Sequence, residues 1–133
     1  MRLKRPFVLA ITLLAACKPP TPEEQMDSIK SWLATSEMVA DGWLRHSTPD
    51  KYSRQTLELA RETLAQISIG QLPFLPPAVD SAMRNALARS RGHIDQMARL
   101  IEAKNSPDFR RQLDSLRADE KIVKRISDDM PKQ

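Results

Sequence analysis

Three times in this sequence a hydroxyl residue, a proline and an acid follow one another: Thr21-Pro22-Glu23, Thr48-Pro49-Asp50 and Ser106-Pro107-Asp108. Each reads as a helix start. The hydroxyl accepts from a backbone N–H of the first turn, and proline has no N–H to leave unpaired. The acid then sits on the positive end of the helix dipole. Glu24 adds a reciprocal capping box to the first of them. A fourth start is plainer, after Pro76-Pro77 with Asp80 in its first turn. Helices are therefore predicted at about 22–46, 49–68, 77–104 and 107–129.

Each of these segments carries apolar residues at the helical period. The first is predicted to bury Met26, Ile29, Trp32, Leu33, Val39, Ala40 and Trp43, and the second Tyr52, Leu57, Leu59, Ala60, Leu64 and Ile67. The third offers Val79, Met83, Ala86, Leu87, Ile94, Met97 and Ile101, and the fourth Phe109, Leu113, Leu116, Val123, Ile126 and Met130. Ala, Leu, Arg, Gln and Glu abound while β-branched and aromatic residues are few, which argues against sheet. With short joins at 46–48 and 104–106, the four stripes predict an all-α, antiparallel up-down-up-down four-helix bundle over residues 22–130. Both tryptophans face the core in this reading, and each needs a partner for its indole N–H. Gly42, beside Trp43, is expected to let another helix come close.

The chain ahead of the bundle has a different grammar. Met1-Arg2-Leu3-Lys4-Arg5 is basic, Phe7 to Ala16 is uncharged and apolar, and Cys17 follows Leu14-Ala15-Ala16. A basic head, a hydrophobic run and small residues at its end make a secretory signal. The run of about ten is too short to cross roughly 30 Å of hydrocarbon. Leu14-Ala15-Ala16-Cys17 resembles the lipobox of bacterial lipoproteins, and Cys17 is the one cysteine in the chain. The resemblance covers residues 1–17. It implies removal of the signal peptide 1–16, a diacylglyceryl thioether on Cys17 and often a fatty acyl group such as palmitate on the new amino terminus. Residues 17–21 are then the lipidated cysteine and a Pro-rich tether. In a double-membrane envelope, Lys18 rather than Asp after the cysteine implies the outer membrane, facing the periplasm; the inner membrane and the cell surface are the alternatives.

Charge has to be read with that leader removed. The whole chain carries +4, from 21 cations against 17 acids. Arg2, Lys4 and Arg5 go with the leader, leaving 18 against 17, so the basic pI is no argument for nucleic acid. What remains after the first 16 of 133 residues suits one domain and not two. It has no cysteine pair for a disulfide, so packing must hold it.

Between the second and third helices, Ile69-Gly70-Gln71-Leu72-Pro73-Phe74-Leu75-Pro76 is a loop by its Gly and Pro content, yet half of it is apolar. In up-down order it shares an end of the bundle with the lipid. The four residues from Cys17 to Thr21 reach at most about 14 Å, which puts that end close to the bilayer. Leu72, Phe74 and Leu75 then either plug the open end of the core, dip into the lipid interface or meet a partner.

His93, at the edge of the third stripe and opposite residues 118–120, is expected to meet Asp119 or Glu120 as a packed histidine. It has no nucleophile or oxyanion donors for acid–base work. His46 reads as a cation favoured by the carboxyl end of the first helix. The two histidines fall at different heights, and no CxxCH, HxxxH or Glu-x-x-His motif is present, so no metal and no cofactor is expected. Met26, Met38, Met83, Met97 and Met130 lie mostly in core stripes and read as packing rather than a copper site. Arg84, Arg89, Arg91, Arg110 and Arg111 form the densest basic stretch, balanced by Asp80, Asp95 and Asp108. Arg54 and Arg61, like Glu58 and Glu62, read as solvated. The expectation is a non-catalytic envelope lipoprotein, anchored to the membrane through Cys17 and serving an envelope protein partner as adaptor or structural accessory. The alternative is a bundle that carries an apolar small ligand; an enzyme is disfavoured.

Overall fold

A computed structural model describes residues 20–68 and 75–130. It is all-helical, with no strand among the described residues: α1 spans Pro22–Leu44, α2 Asp50–Ser68, α3 Pro77–Glu102 and α4 Ser106–Asp128. The leader, Cys17, Leu72 and Phe74 lie outside the described residues. Each helix packs on its neighbours in sequence, α1 also packs on α4, and α1 touches α3 across the middle. The result is a helical bundle around one apolar core.

The first start follows the cap chemistry, while α2 begins one residue late, at Asp50, and α4 one residue early. Thr21 Oγ1 accepts from the Glu24 N–H at 3.1 Å and the Glu24 carboxylate accepts from the Thr21 N–H at 3.4 Å, closing the capping box. At α4 the cap is Asn105 rather than Ser106: its Oδ1 accepts from the Asp108 N–H at 3.2 Å. An Asn side chain caps as well as a serine, so one residue of slippage costs nothing. α3 begins at Pro77 without a side-chain cap bond.

Two helices end shorter than their stripes suggest. α1 closes with His46 N–H on Trp43 O and Ser47 N–H on Gly42 O; α3 closes with Lys104 N–H on Ile101 O and Asn105 N–H on Leu100 O. Both are Schellman turns, and both put a non-glycine residue in the left-handed region, His46 at φ 60° and Lys104 at φ 52°. The missing glycine explains why the pattern alone ran each helix two residues long.

The core contains Met26, Ile29, Leu33, Leu57, Leu64, Met83, Leu87, Ile94, Met97, Phe109, Leu113 and Leu116, all buried. Burial of side chains this size stabilises by about 1.5–3 kcal/mol each. Trp43 packs on Phe109, ring centroids 4.4 Å apart at 44°, and its Nε1–H donates to Asp50 Oδ1 at 2.8 Å. Trp32, by contrast, is only partly buried against the core.

Two expected core residues are exposed, Tyr52 at 57% and Leu59 at 52%, and so is Met38 at 70%, which belongs to no predicted stripe. At 100° per residue, Met38 falls about 140° round α1 from Leu33, off the inward stripe. In α2 the inward row is Ser53, Leu57, Ala60 and Leu64, all buried. A serine holds the seat that an apolar-only reading passes over, and Tyr52 and Leu59 lie on the far side. Gly42 also differs from expectation. A Cβ there would meet Thr48 Oγ1 of the following turn, so the close approach is by the connection and not by a helix.

The two helical glycines therefore behave oppositely. Gly92 has open space where a Cβ would go, so Gly92→Ala should stabilise by about 0.5–1 kcal/mol. Gly42→Ala should destabilise by about 1–3 kcal/mol through overpacking against Thr48; chemical denaturation of the two variants checks both signs. By the same assay, His46→Gly and Lys104→Gly should each stabilise by about 0.5–1 kcal/mol, because glycine relieves the left-handed backbone at some entropic cost.

Candidate functional site

Two places gather polar or open surface that the core does not use. The first is a cluster on the α3–α4 seam. Asp119 is 5% exposed, and it accepts from Arg89 Nε at 2.9 Å and lies 3.4 Å from His93 Nε2. The His93 Nδ1–H donates to Gln112 Oε1 at 2.7 Å. His93 does meet Asp119, as its place opposite residues 118–120 suggests. Gln112, which holds the other ring nitrogen, sits one helical repeat earlier on the same face of α4. Both nitrogens of His93 and both oxygens of Asp119 thus lie against a neighbouring polar group within the fold.

Next to it Glu120, also buried, has one oxygen 2.8 Å from Lys124 Nζ, while its Oε2 has no partner. That bond with Glu120 raises the Lys124 ammonium above the ordinary lysine value. The pair's contribution is complete below the free-lysine pKa and is lost as pH rises through the raised one.

The remaining charges are mostly paired. Arg54 Nη1 lies 2.6 Å from Glu102 and Arg61 Nη1 3.0 Å from Asp95, so these arginines tie α2 to α3 and are not simply solvated. Arg117 lies 3.6 Å from Glu37 and 3.9 Å from Asp41, tying α4 to α1. Within the basic stretch, Arg84 pairs with Asp80 at 2.8 Å and Arg111 with Asp108. Among the described residues no group of three or more His, Cys, Asp or Glu is placed to hold a metal ion. Met26, Met83 and Met97 are core residues, Met130 packs partly buried on the core, and Met38 faces solvent.

The second place is a groove of about 600 Å³ where the amino ends of α1 and α3 meet the carboxyl end of α4. Met26, Leu75, Val79, Ile126 and Met130 form its apolar floor. Among the described residues, Glu23, Asp27, Asp128 and Asp129 stand around it with one cation, Lys30. Lys30 already lies 3.5 Å from Asp27. Leu75, the one residue of the apolar loop trio within the described residues, is 8% exposed and belongs to the core. The sequence held a signal for the groove that periodicity alone passes over. Val79, Ile126 and Met130 come at the very ends of their stripes, where no further turn of a facing helix remains to cover them.

No helix of the described residues is long and apolar enough to cross a membrane. No family model, curated protein or solved structure matches the chain.

Asp119→Ala should cost about 1–3 kcal/mol, the range for losing hydrogen bonds to a charged group. Adding His93→Ala in that background should cost less than it does alone; additivity by double-mutant denaturation would break the shared network.

Proposed function

We propose that this chain is a bacterial envelope lipoprotein whose helical bundle is held against a membrane through Cys17 and works by binding or by structure, not by catalysis. What carries the reading is Leu14-Ala15-Ala16-Cys17 behind a basic, then apolar, leader, with the chain's lone cysteine at the position the lipid chemistry needs. The capping box at Thr21 supports it, because an ordered helix then begins five residues after that cysteine, the spacing of a short tether. Lys18 after the cysteine favours the outer membrane, facing the periplasm.

Within this reading the helices run antiparallel, up-down-up-down. The pairs Arg54–Glu102 and Arg61–Asp95 support that order, since numbers rise along α2 as they fall along α3. Trp43 beside Phe109 and Glu37 beside Arg117 give the same sense for α1 against α4. The groove and the anchor then share one end. A non-catalytic role is supported by the His93 cluster, whose groups are engaged with one another. A partner protein of the envelope is the natural counterpart of a small body fixed at a surface.

The groove favours a second reading as a carrier of an apolar ligand, since about 600 Å³ falls within the usual range of small-molecule sites. The test of the first is intact mass spectrometry of protein recovered from membranes of a bacterial host. Residues 1–16 should be absent and Cys17 should carry the added mass of diacylglycerol, while Cys17→Ser should leave the membrane fraction. An unmodified thiol at Cys17 would overturn the proposal.

A further inference from the structure

We infer that the groove at the amino end of α1 is the seat for an acyl chain borne on Cys17, which it shelters from water whenever the protein is out of a bilayer. The inference rests on the lipoprotein reading and deepens it.

Reach comes first. Pro22 stands at the edge of the groove and follows Cys17 by five residues, a span of at most about 18 Å when extended. A chain attached at the Cys17 sulfur is therefore delivered to this end of the bundle and to no other. The floor comes second. Val79, Ile126 and Met130 are only partly covered by the described residues, so the groove presents a strip of hydrocarbon at the edge of the core. Its volume of about 600 Å³ lies within the range of pockets that enclose small apolar ligands.

Charge then separates the anchor from other lipids. Among the described residues four carboxylates, Glu23, Asp27, Asp128 and Asp129, face one ammonium, Lys30, which is itself beside Asp27. The carboxyl end of α4 adds the negative pole of its dipole. A fatty-acid carboxylate or a phospholipid phosphate brought to this rim meets like charge. The thioether glyceride of a lipidated cysteine carries no charge, and Lys18 next to it brings a cation to the acids. The surface thus discriminates by repulsion as well as by fit.

In a bilayer the same acyl chain is already out of water, so groove and membrane compete for it. The protein exchanges between a membrane-inserted state and a self-shielded one, and the groove sets how readily it leaves the surface.

The experiment uses the mature lipidated chain purified from membranes, with Val79→p-benzoylphenylalanine as a photo-crosslinker and detergent removed before irradiation. Intact mass reports lipidation separately. The expected product joins the peptide containing position 79 to the acyl chain of Cys17, while Leu59→p-benzoylphenylalanine, on the exposed side of α2, gives none. With Cys17 lipidated, crosslinks from position 79 only to bulk phospholipid or only to residues 69–74 would overturn the inference and leave the lipoprotein reading standing. An unmodified Cys17 would overturn both. As a second measurement, Val79→Asp should set a further carboxylate in the apolar strip and lower the fraction released from phosphatidylcholine vesicles at least tenfold, with helicity by circular dichroism unchanged. Equal release by the two proteins would count against the inference, and a Val79→Asp chain of reduced helicity is replaced by Val79→Ser under the same criterion.

Discussion

Trp43 is the contact through which one end of the bundle is assembled. Its ring lies against Phe109 of α4, and its indole N–H is held by Asp50, the first residue of α2. A buried indole without an acceptor would carry a desolvation cost of about 1–3 kcal/mol, so the ring can be buried only if α2 begins where it does. The turn that makes this possible is tight. Gly42 admits Thr48 of the connection against the helix, and His46 takes the left-handed conformation that reverses the chain. Local turn, aromatic packing and the placing of the next helix are one event at this end.

The seams between helices are set by a different force. Arg54, Arg61, Arg89 and Arg117 each reach across to an acid on a neighbouring helix. Exposed pairs of this kind contribute about 0–1 kcal/mol apiece, so they do not hold the bundle together. Their consequence is in register: sliding one helix past another by a turn would set several of these cations against the wrong neighbours. Asp119 differs because it is buried, and its desolvation is offset only with Arg89, His93 and their surroundings in place. That makes it a requirement on how α3 and α4 meet, not a surplus of stability.

How legible all this was depended on whether the inward seats were apolar. α1, α3 and α4 declare themselves because Ile29, Leu33, Leu87, Ile94, Leu113 and Leu116 repeat at helical spacing, and the Pro-containing starts fix where each helix begins. α2 was misread in part because Ser53 takes an inward seat without looking apolar. Ser36 and Ser90 do the same, with their hydroxyls returned to Trp32 O and Ala86 O at 2.8 Å. Asp119 was legible as a neighbour of His93 but not as a buried group, since its burial depends on partners supplied by another helix. Leu14 to Cys17 is the opposite case: the reading proposed for it is chemical and local, and it lies outside the described residues.

These features together set one end of the bundle apart from the rest. Along the α3–α4 seam the polar groups are engaged with one another, and at the Trp43 end the buried ring is held by Phe109 and Asp50. The end where Pro22, Leu75 and Met130 meet has neither property. About 25 Å of helix separates Met26 from Trp43, and over that distance the bundle passes from an end tied by an aromatic contact and a buried hydrogen bond to one where apolar side chains open to solvent among carboxylates. An apolar surface of this kind is costly to leave wet, and the adjoining acids limit what can cover it. A neutral or cationic apolar group fits both conditions, and the tether from Cys17 ends beside it. Where the chain is anchored and where it is least closed are, on this reading, the same place.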